Sequence, residues 1–340
     1  GGSTLGLHAA LALFCRPGDQ VLIDRGCHRA VYNALALLDL EPVYLPRPWR
    51  AGEGIAGPIS PQDVENRLDS HPNIKTICIT SPTYSGVLSD VAELSHLIHA
   101  RGGKLIVDGA HGAHLPFLGV DAFTGCDALI CSAHKTLPAL GQSALLFTNG
   151  VDPRRVRQMT SVFGSSSPSY PMMISLDCAR DYLEGEGTEE YRRVARRTAA
   201  LRAAFPSLQE GELRLDPTRL TLTSPDGNAL ARALEGENIW PEMADSGHVV
   251  LILTAQDREE DLHRLEEALE RHRDLLGAPP ILPPPPLPQP ACSLREALFA
   301  PVERLPLSDC LGRVAAGQLA PYPPGVPVVA PGEVISEKEL

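Results

Sequence analysis

The chain has 340 residues, 43% of them hydrophobic, and a formal net charge of −12. A chain of that length and content can bury a large core in two or three domains, and its scattered lysines and arginines argue against nucleic acid as the main partner. No apolar run approaches the ~20 residues that span a bilayer, and no basic, apolar leader opens the sequence, so a cytoplasmic protein away from membranes is expected.

The first half alternates helical and strand patterns. A helix is expected from Thr4 to Phe14, then a strand at Gln20 to Asp24, a helix from His28 to Leu38 and a strand at Pro42 to Leu45. A helix from Pro61 to Leu68 leads to a strand at Lys75 to Thr80, and a helix from Val91 to Ala100 feeds a strand at Lys104 to Asp108. Two more strands follow, Asp127 to Ser132 and Ser143 to Thr148. This alternation predicts an α/β major domain over residues 1–187, with a mostly parallel sheet covered by helices. A polar, Ser-rich loop from Phe163 to Tyr170 and a helix from Pro171 to Leu183, punctuated by Gly185 and Gly187, complete it.

From Thr188 the pattern changes to a smaller α+β unit over 188–278. Its expected elements are a charged helix from Glu189 to Ala204, a strand at Leu220 to Thr223, a helix near Ala229 to Leu234, a strand at His248 to Thr254 and a helix from Glu259 to Arg273. The proline-rich stretch 279–290 can only be extended and stiff, and spacing two domains is its expected job, ahead of a PxxP docking role. A carboxyl-terminal segment, 291–340, resumes with a helix from Ser293 to Phe299 and a turn-rich stretch from Pro321 to Pro327.

Eight cysteines form no CxxC pair and no regular framework; several stand in apolar strands such as Thr76 to Thr80 and read as buried, reduced thiols. Cys126 and Cys131 with His111 and His114 could suggest zinc, but these cysteines flank a strand, whereas tetrahedral sites draw ligand pairs from tight knuckles or one helical face. No metal is expected.

Two strand ends carry the chemistry. The strand Lys104 to Asp108 ends in a carboxylate, and the strand at Asp127 to Ser132 runs into Ser132-Ala-His134-Lys135-Thr136. A lone lysine after a strand is ordinarily a solvated charge, and an aspartate there is ordinarily a helix cap. In one parallel sheet, however, both would meet at its carboxyl edge, where open α/β sheets bind ligands. A lysine amine that condenses with an aldehyde, beside a carboxylate that holds a pyridinium nitrogen protonated, is what a pyridoxal phosphate site needs.

The surrounding residues, Asp108-Gly-Ala-His111-Gly-Ala-His114 and Ser132-Ala-His-Lys-Thr-Leu-Pro-Ala-Leu140, resemble the cofactor core of the ornithine/lysine/arginine decarboxylases, fold type I enzymes that use pyridoxal phosphate; the likeness runs over nearly the whole chain. The resemblance implies Lys135 as the lysine that holds the cofactor, Asp108 at its ring nitrogen and residues 1–187 as the cofactor-binding domain. It implies Gly2-Ser3-Thr4, before an apolar helix, as the phosphate loop, with Ser132 and His134 as further phosphate contacts. His28, in Asp24-Arg-Gly-Cys-His28, matches the family histidine that stacks on the ring, Ala110 would press on the opposite face, and His111 and Thr83 would touch its edge. Ser166 and Ser167 look like residues that reach a neighbouring subunit's phosphate, which implies at least a homodimer with shared sites. Glu242 and Glu333 are guesses for anchoring the distal cation of the substrate.

The pattern departs from the family where Gly109, not Glu, follows Asp108, and where Ala133 replaces Thr or Val. The chain also begins at Gly-Gly-Ser-Thr without a methionine, so a fragment or trimmed product is expected, lacking a helical region that helps lock the family's dimer. The resemblance implies decarboxylation of arginine, lysine or ornithine. The rivals are another fold type I reaction, such as transamination or elimination, and a catalytically silent relative that assembles with a partner.

Overall fold

The computed structural model describes residues 1–321 and 326–338, so positions 322–325 of the expected turn-rich stretch lie outside the described residues. The major sheet is built from β1 (Gln20–Asp24), β2 (Glu41–Leu45), β3 (Thr76–Thr80), β4 (Lys104–Asp108), β5 (Ala128–Ser132) and β6 (Ala144–Thr148), in the spatial order β2-β1-β3-β4-β5-β6. All neighbours pair parallel except β6, which runs antiparallel to β5. The expected mostly parallel α/β sheet is present.

The inner strands are short continuous apolar runs because both faces are covered. Val21, Leu22 and Ile23, Ile77 and Ile79, and Leu105, Ile106 and Val107 are all fully buried; each such side chain contributes about 1.5–3 kcal/mol relative to exposure. The covering helices are α1 (Gly2–Phe14), α2 (Arg29–Leu38), α3 (Pro61–Ser70) and α4 (Val91–Ala100). Each start has a local cause. Ser60 accepts from Asp63 N with Pro61 in the first turn, and Asp90 accepts from Glu93 N. The expected helix at His28 begins one residue later, because His28 is its cap and accepts from Ala30 N at 3.2 Å. Helix α1 lies so close to β5 that a Cβ at Gly6 would stand 2.9 Å from Ile130 Cγ2.

After the short helix α5 (Ala133–Thr136) come α6 (Pro153–Phe163), α7 (Tyr170–Tyr182) and α8 (Thr188–Ala204). Helix α6 was not expected from the sequence, although Asp152 caps it by accepting from Arg154 N and Pro153 stands in its first turn. None of its residues is fully buried, but Val156, Met159 and Phe163 recur at helical spacing and are half-buried, so its amphipathic stripe was legible.

The smaller unit has an antiparallel sheet of β7 (Arg219–Thr223), β8 (Met243–Ala244) and β9 (His248–Ile252), in the order β7-β9-β8, with α9 (Gly227–Gly236) and α10 (Glu259–Arg271). Its own core joins Leu220, Leu222, Val249 and Leu251 to Leu262 and Leu265. Strand β9 stops short of Thr254, whose N–H turns back to Asp257 Oδ2 at 2.6 Å. Helix α11 (Leu294–Phe299) opens with a capping box between Ser293 and Glu296. Leu294 and Ala330 enter the same cluster as Leu7, Leu35 and Ile106, so the chain's last part completes the core of its first. Among the described residues no helix is long and apolar enough to cross a membrane.

Candidate active site

Parallel register places the strand tips together. Thr80 of β3 stands opposite Asp108 of β4, and Asp108 opposite Ile130 of β5, two residues before Ser132. Beyond this edge lies a cavity of about 900 Å³. Asp108, Lys135, His28, Ala110 and His111 line it, as do Ser3, Thr4, Ser132, His134 and Thr83. The geometry thus brings ten of the residues singled out from sequence into one space.

Asp108 is fully buried, and burial pushes its carboxyl up to about 6, against the opposing pull of the Lys135 amine and the Ala110 N–H; Asp24 adds to the rise. Among the described residues its side chain accepts one hydrogen bond, from Ala110 N at 3.2 Å. A buried carboxyl with spare lone pairs on a cavity suits a cationic ring N–H.

Lys135 stands on α5, just past the tip of β5. Its Nζ lies 2.9 Å from His111 Nε2. Burial holds His111 well below the usual histidine range, with Lys135 adding to the effect, so the imidazole is neutral and Nε2 accepts from the amine. Burial also lowers Lys135, while Asp108 and Glu242 pull it back up. The Nδ1 of His111 is buried without a partner among the described residues, and the Tyr84 ring meets the imidazole edge-on at 4.8 Å.

His28 is pushed down to about 4, first by burial and then by Lys135 and Arg29. It therefore presents a neutral, flat ring to the cavity, held from one side by its cap bond to Ala30 N. Ala110 offers only a methyl group. At the start of α1, Ser3 Oγ lies 2.5 Å from Ser132 Oγ, and His134 Nδ1 donates to Ser143 O at 3.0 Å. Two hydroxyls and a 13-residue helix's free N–H groups form a place for an anionic ester. The residues present fit pyridoxal phosphate at its ring nitrogen, ring face, aldehyde and phosphate.

Other residues fall elsewhere. Ser166 and Ser167 are exposed and do not line the cavity of their own chain. Glu242 lines it and accepts from Tyr84 OH at 2.5 Å. Glu333 does not; it is buried and bound to Arg25 at 2.9 Å, so the guess that it anchors a substrate cation is corrected. His114 is committed to Asp216 at 3.0 Å and Thr218 at 2.9 Å, and burial pushes Cys126 up to about 11 and Cys131 to about 12. Gly109 has no room for a side chain: a Cβ would lie 2.7 Å from Leu129 Cδ1 and 3.1 Å from Phe123 Cε1.

Sequence reasoning missed several groups in and beside the cavity lining. Asp24, buried at the tip of β1, accepts from Arg47 Nε at 3.0 Å and from Gly26 N at 2.8 Å, while Arg47 also donates to Gly57 O at 3.0 Å and to Thr80 O. An aspartate closing an apolar strand was a readable signal; its arginine partner was not. Arg25 stood inside the motif quoted for His28 and still passed unremarked. The proline-rich stretch, expected to be a spacer, lines the cavity with Pro284, Pro285, Pro286 and Leu287.

Comparison with known proteins follows the same lines. Residues 1–218 match the family described as Orn/Lys/Arg decarboxylase, major domain, and residues 283–340 match its C-terminal domain. An uncharacterized Bacillus subtilis protein, YaaO, is 31% identical over all of this chain and 76% of its own length. The arginine decarboxylase of the same organism is 30% identical over 96% of this chain and 72% of its own. Constitutive lysine decarboxylase of Escherichia coli superposes with a TM-score of 0.81 at 19% identity, covering 99% of this chain but 64% of that one, so the chain spans less than two thirds of that structure. A Bacillus subtilis ureidoglycine-glyoxylate aminotransferase shares the fold more distantly, with a TM-score of 0.62 and 17% identity over 82% of this chain and 80% of that one. The sheet is that of the fold type I pyridoxal phosphate enzymes, and on its sequence the chain belongs to the Orn/Lys/Arg decarboxylase family.

Proposed function

We propose that the chain carries out pyridoxal phosphate-dependent decarboxylation of a basic amino acid, arginine, lysine or ornithine, to the corresponding amine and carbon dioxide. The observation that carries this reading is the convergence of Lys135, buried Asp108 and neutral His28 on one cavity that opens to the start of α1. Lys135 would hold the cofactor's aldehyde carbon and Asp108 its ring nitrogen; Ser3, Thr4, Ser132 and His134 would hold its phosphate, with His28 and Ala110 on its two faces. Pyridoxal phosphate, when bound, supplies a protonated ring into which the electron pair left by departing carbon dioxide can spread.

The chain's own residues do the rest. Asp108 keeps a positive charge favourable at the ring nitrogen. His111 Nε2 accepts a hydrogen bond from Lys135 Nζ and so orients the amine. Glu242, on the cavity rim and oriented by Tyr84 OH, is the group we assign to the substrate's distal cation. Ser166 and Ser167, exposed beside the apolar side chains of Tyr170, Met173 and Ile174, support a homodimer in which each chain completes its partner's phosphate site.

The test is a product assay with pyridoxal phosphate and each basic amino acid. Carbon dioxide with agmatine, cadaverine or putrescine is expected; keto acid without carbon dioxide sinks the reading. Borohydride reduction should fix the cofactor on the peptide that contains Lys135. Glu242→Gln is expected to raise KM by about tenfold or more with little change in kcat, the signature of lost uniform binding; an unchanged KM removes Glu242 from substrate recognition.

A further inference from the structure

The solvent side of the cavity comes from the far end of the chain. Pro284 to Leu287 line it together with Val326 and Pro327. Prolines have no N–H and a fixed φ, so this stretch is stiff and cannot anchor itself through its own amides. Its position is set at its ends. On one side Trp49 Nε1 donates to Leu282 O at 2.9 Å. On the other, Val334 N donates to Gln289 O at 2.9 Å and Ala291 N to Gly332 O at 2.7 Å, with Pro290 and Glu333 paired antiparallel.

Glu333 is the knot of that second anchor. Its buried carboxylate accepts from Ala330 N at 2.7 Å and from Arg25 at 2.9 Å. Arg25 also donates to Val328 O at 3.0 Å and to Tyr32 OH at 2.6 Å, and lies over the Tyr44 ring at 4.9 Å. Arg25 follows Asp24 at the tip of β1, so one buried ion pair fixes both wall segments against the sheet edge that carries the chemistry. Buried pairs contribute little net stability but fix geometry, because removing one partner strands the other's charge.

We infer that Arg25 and Glu333 are positioning residues that latch the carboxyl-terminal segment over the cavity, so that the proline wall limits how far a substrate side chain extends and thereby selects among basic amino acids. The selection among substrates rests on the decarboxylase reading above; the latch itself does not.

The experiment uses the cofactor-loaded full chain with Glu333→Gln in a Trp240→Phe background, which leaves Trp49, in the wall, as the single tryptophan. Trp49 fluorescence should become more open to acrylamide quenching. The ratio of kcat/KM between ornithine, lysine and arginine should shift by about threefold or more, through KM, with cofactor loading and saturating kcat nearly unchanged. Pro286→Gly, which leaves the buried pair intact, should move the selectivity the same way and controls for misfolding of the first variant. Unchanged quenching and selectivity overturn the inference, as does loss of cofactor loading in step with any selectivity change, which marks the pair as merely structural. If the parent chain decarboxylates none of the three, the decarboxylase reading fails on its own, and the quenching result alone decides the latch.

Discussion

Lys135→Ala is expected to lower carbon dioxide release by on the order of 10⁴-fold or more, because under the proposed function one substitution removes both the amine that would hold the cofactor and the group that would move protons beside it. The site around Lys135 is built for that dual use. Burial lowers the Lys135 ammonium and so favours the neutral amine, and His111, held neutral, accepts a hydrogen bond from it at 2.9 Å. The visible absorbance band of the loaded protein and the borohydride-stable label should disappear together with the activity. Added methylamine should restore part of the rate, since a free amine can replace the proton carrier but not its positioning. Retention of more than about a tenth of the parent rate would remove Lys135 from the chemistry.

Asp108→Asn is expected to lower kcat by about 10²–10³-fold, the cost typical of deleting one preorganised electrostatic contact where charge develops. The variant keeps the volume and the acceptor for Ala110 N, so cofactor loading should persist and the defect should fall on kcat. A second readout comes from pH. Burial raises the Asp108 carboxyl from 3.8 to about 6. An acid raised in this way stabilises the fold in full below its unfolded value, and that contribution is lost as pH rises through about 6. Ionising it in the cofactor-free protein costs about 3 kcal/mol. Denaturant unfolding of the cofactor-free protein should therefore show a decline in stability between about pH 4 and pH 7 that Asp108→Asn lacks. With pyridoxal phosphate bound, a cation beside Asp108 favours the charged form and the decline should flatten. Equal pH profiles for parent and variant would show that Asp108 does not titrate there.

The parts of this site that were legible in sequence share one property: they depend on local pattern. Val21 to Asp24 and Leu105 to Asp108 announce buried strands by unbroken apolar runs, and an acidic residue closing each run marks the sheet edge. Ser3, Thr4 and His28 stand at helix starts, where donors and caps belong. What sequence hid depends on partners far along the chain. Glu333 sits in a Pro-Gly-Glu turn that looks exposed, and Arg25, 308 positions away, is the charge that makes its burial possible. The prolines after Pro279 look like a spacer because an extended proline stretch has no internal partners to betray where it packs. Tyr84 gave no local sign that it touches both His111 and Glu242.

The pairing of Arg25 with Glu333 joins residues 308 positions apart. Contacts of such separation bear the full cost of loop closure and form late. During synthesis the sheet, its strand-tip aspartate and Lys135 can come together while the last hundred or so residues are still unmade, since domains fold as units from the amino end. The cavity at that stage has a floor but no proline wall, and Leu7 and Leu35 wait for Leu294 and Ala330 to complete their core. Folding from the amino end thus leaves the recess at the strand tips uncovered until residues 284–287 and 326–330 pack beside it.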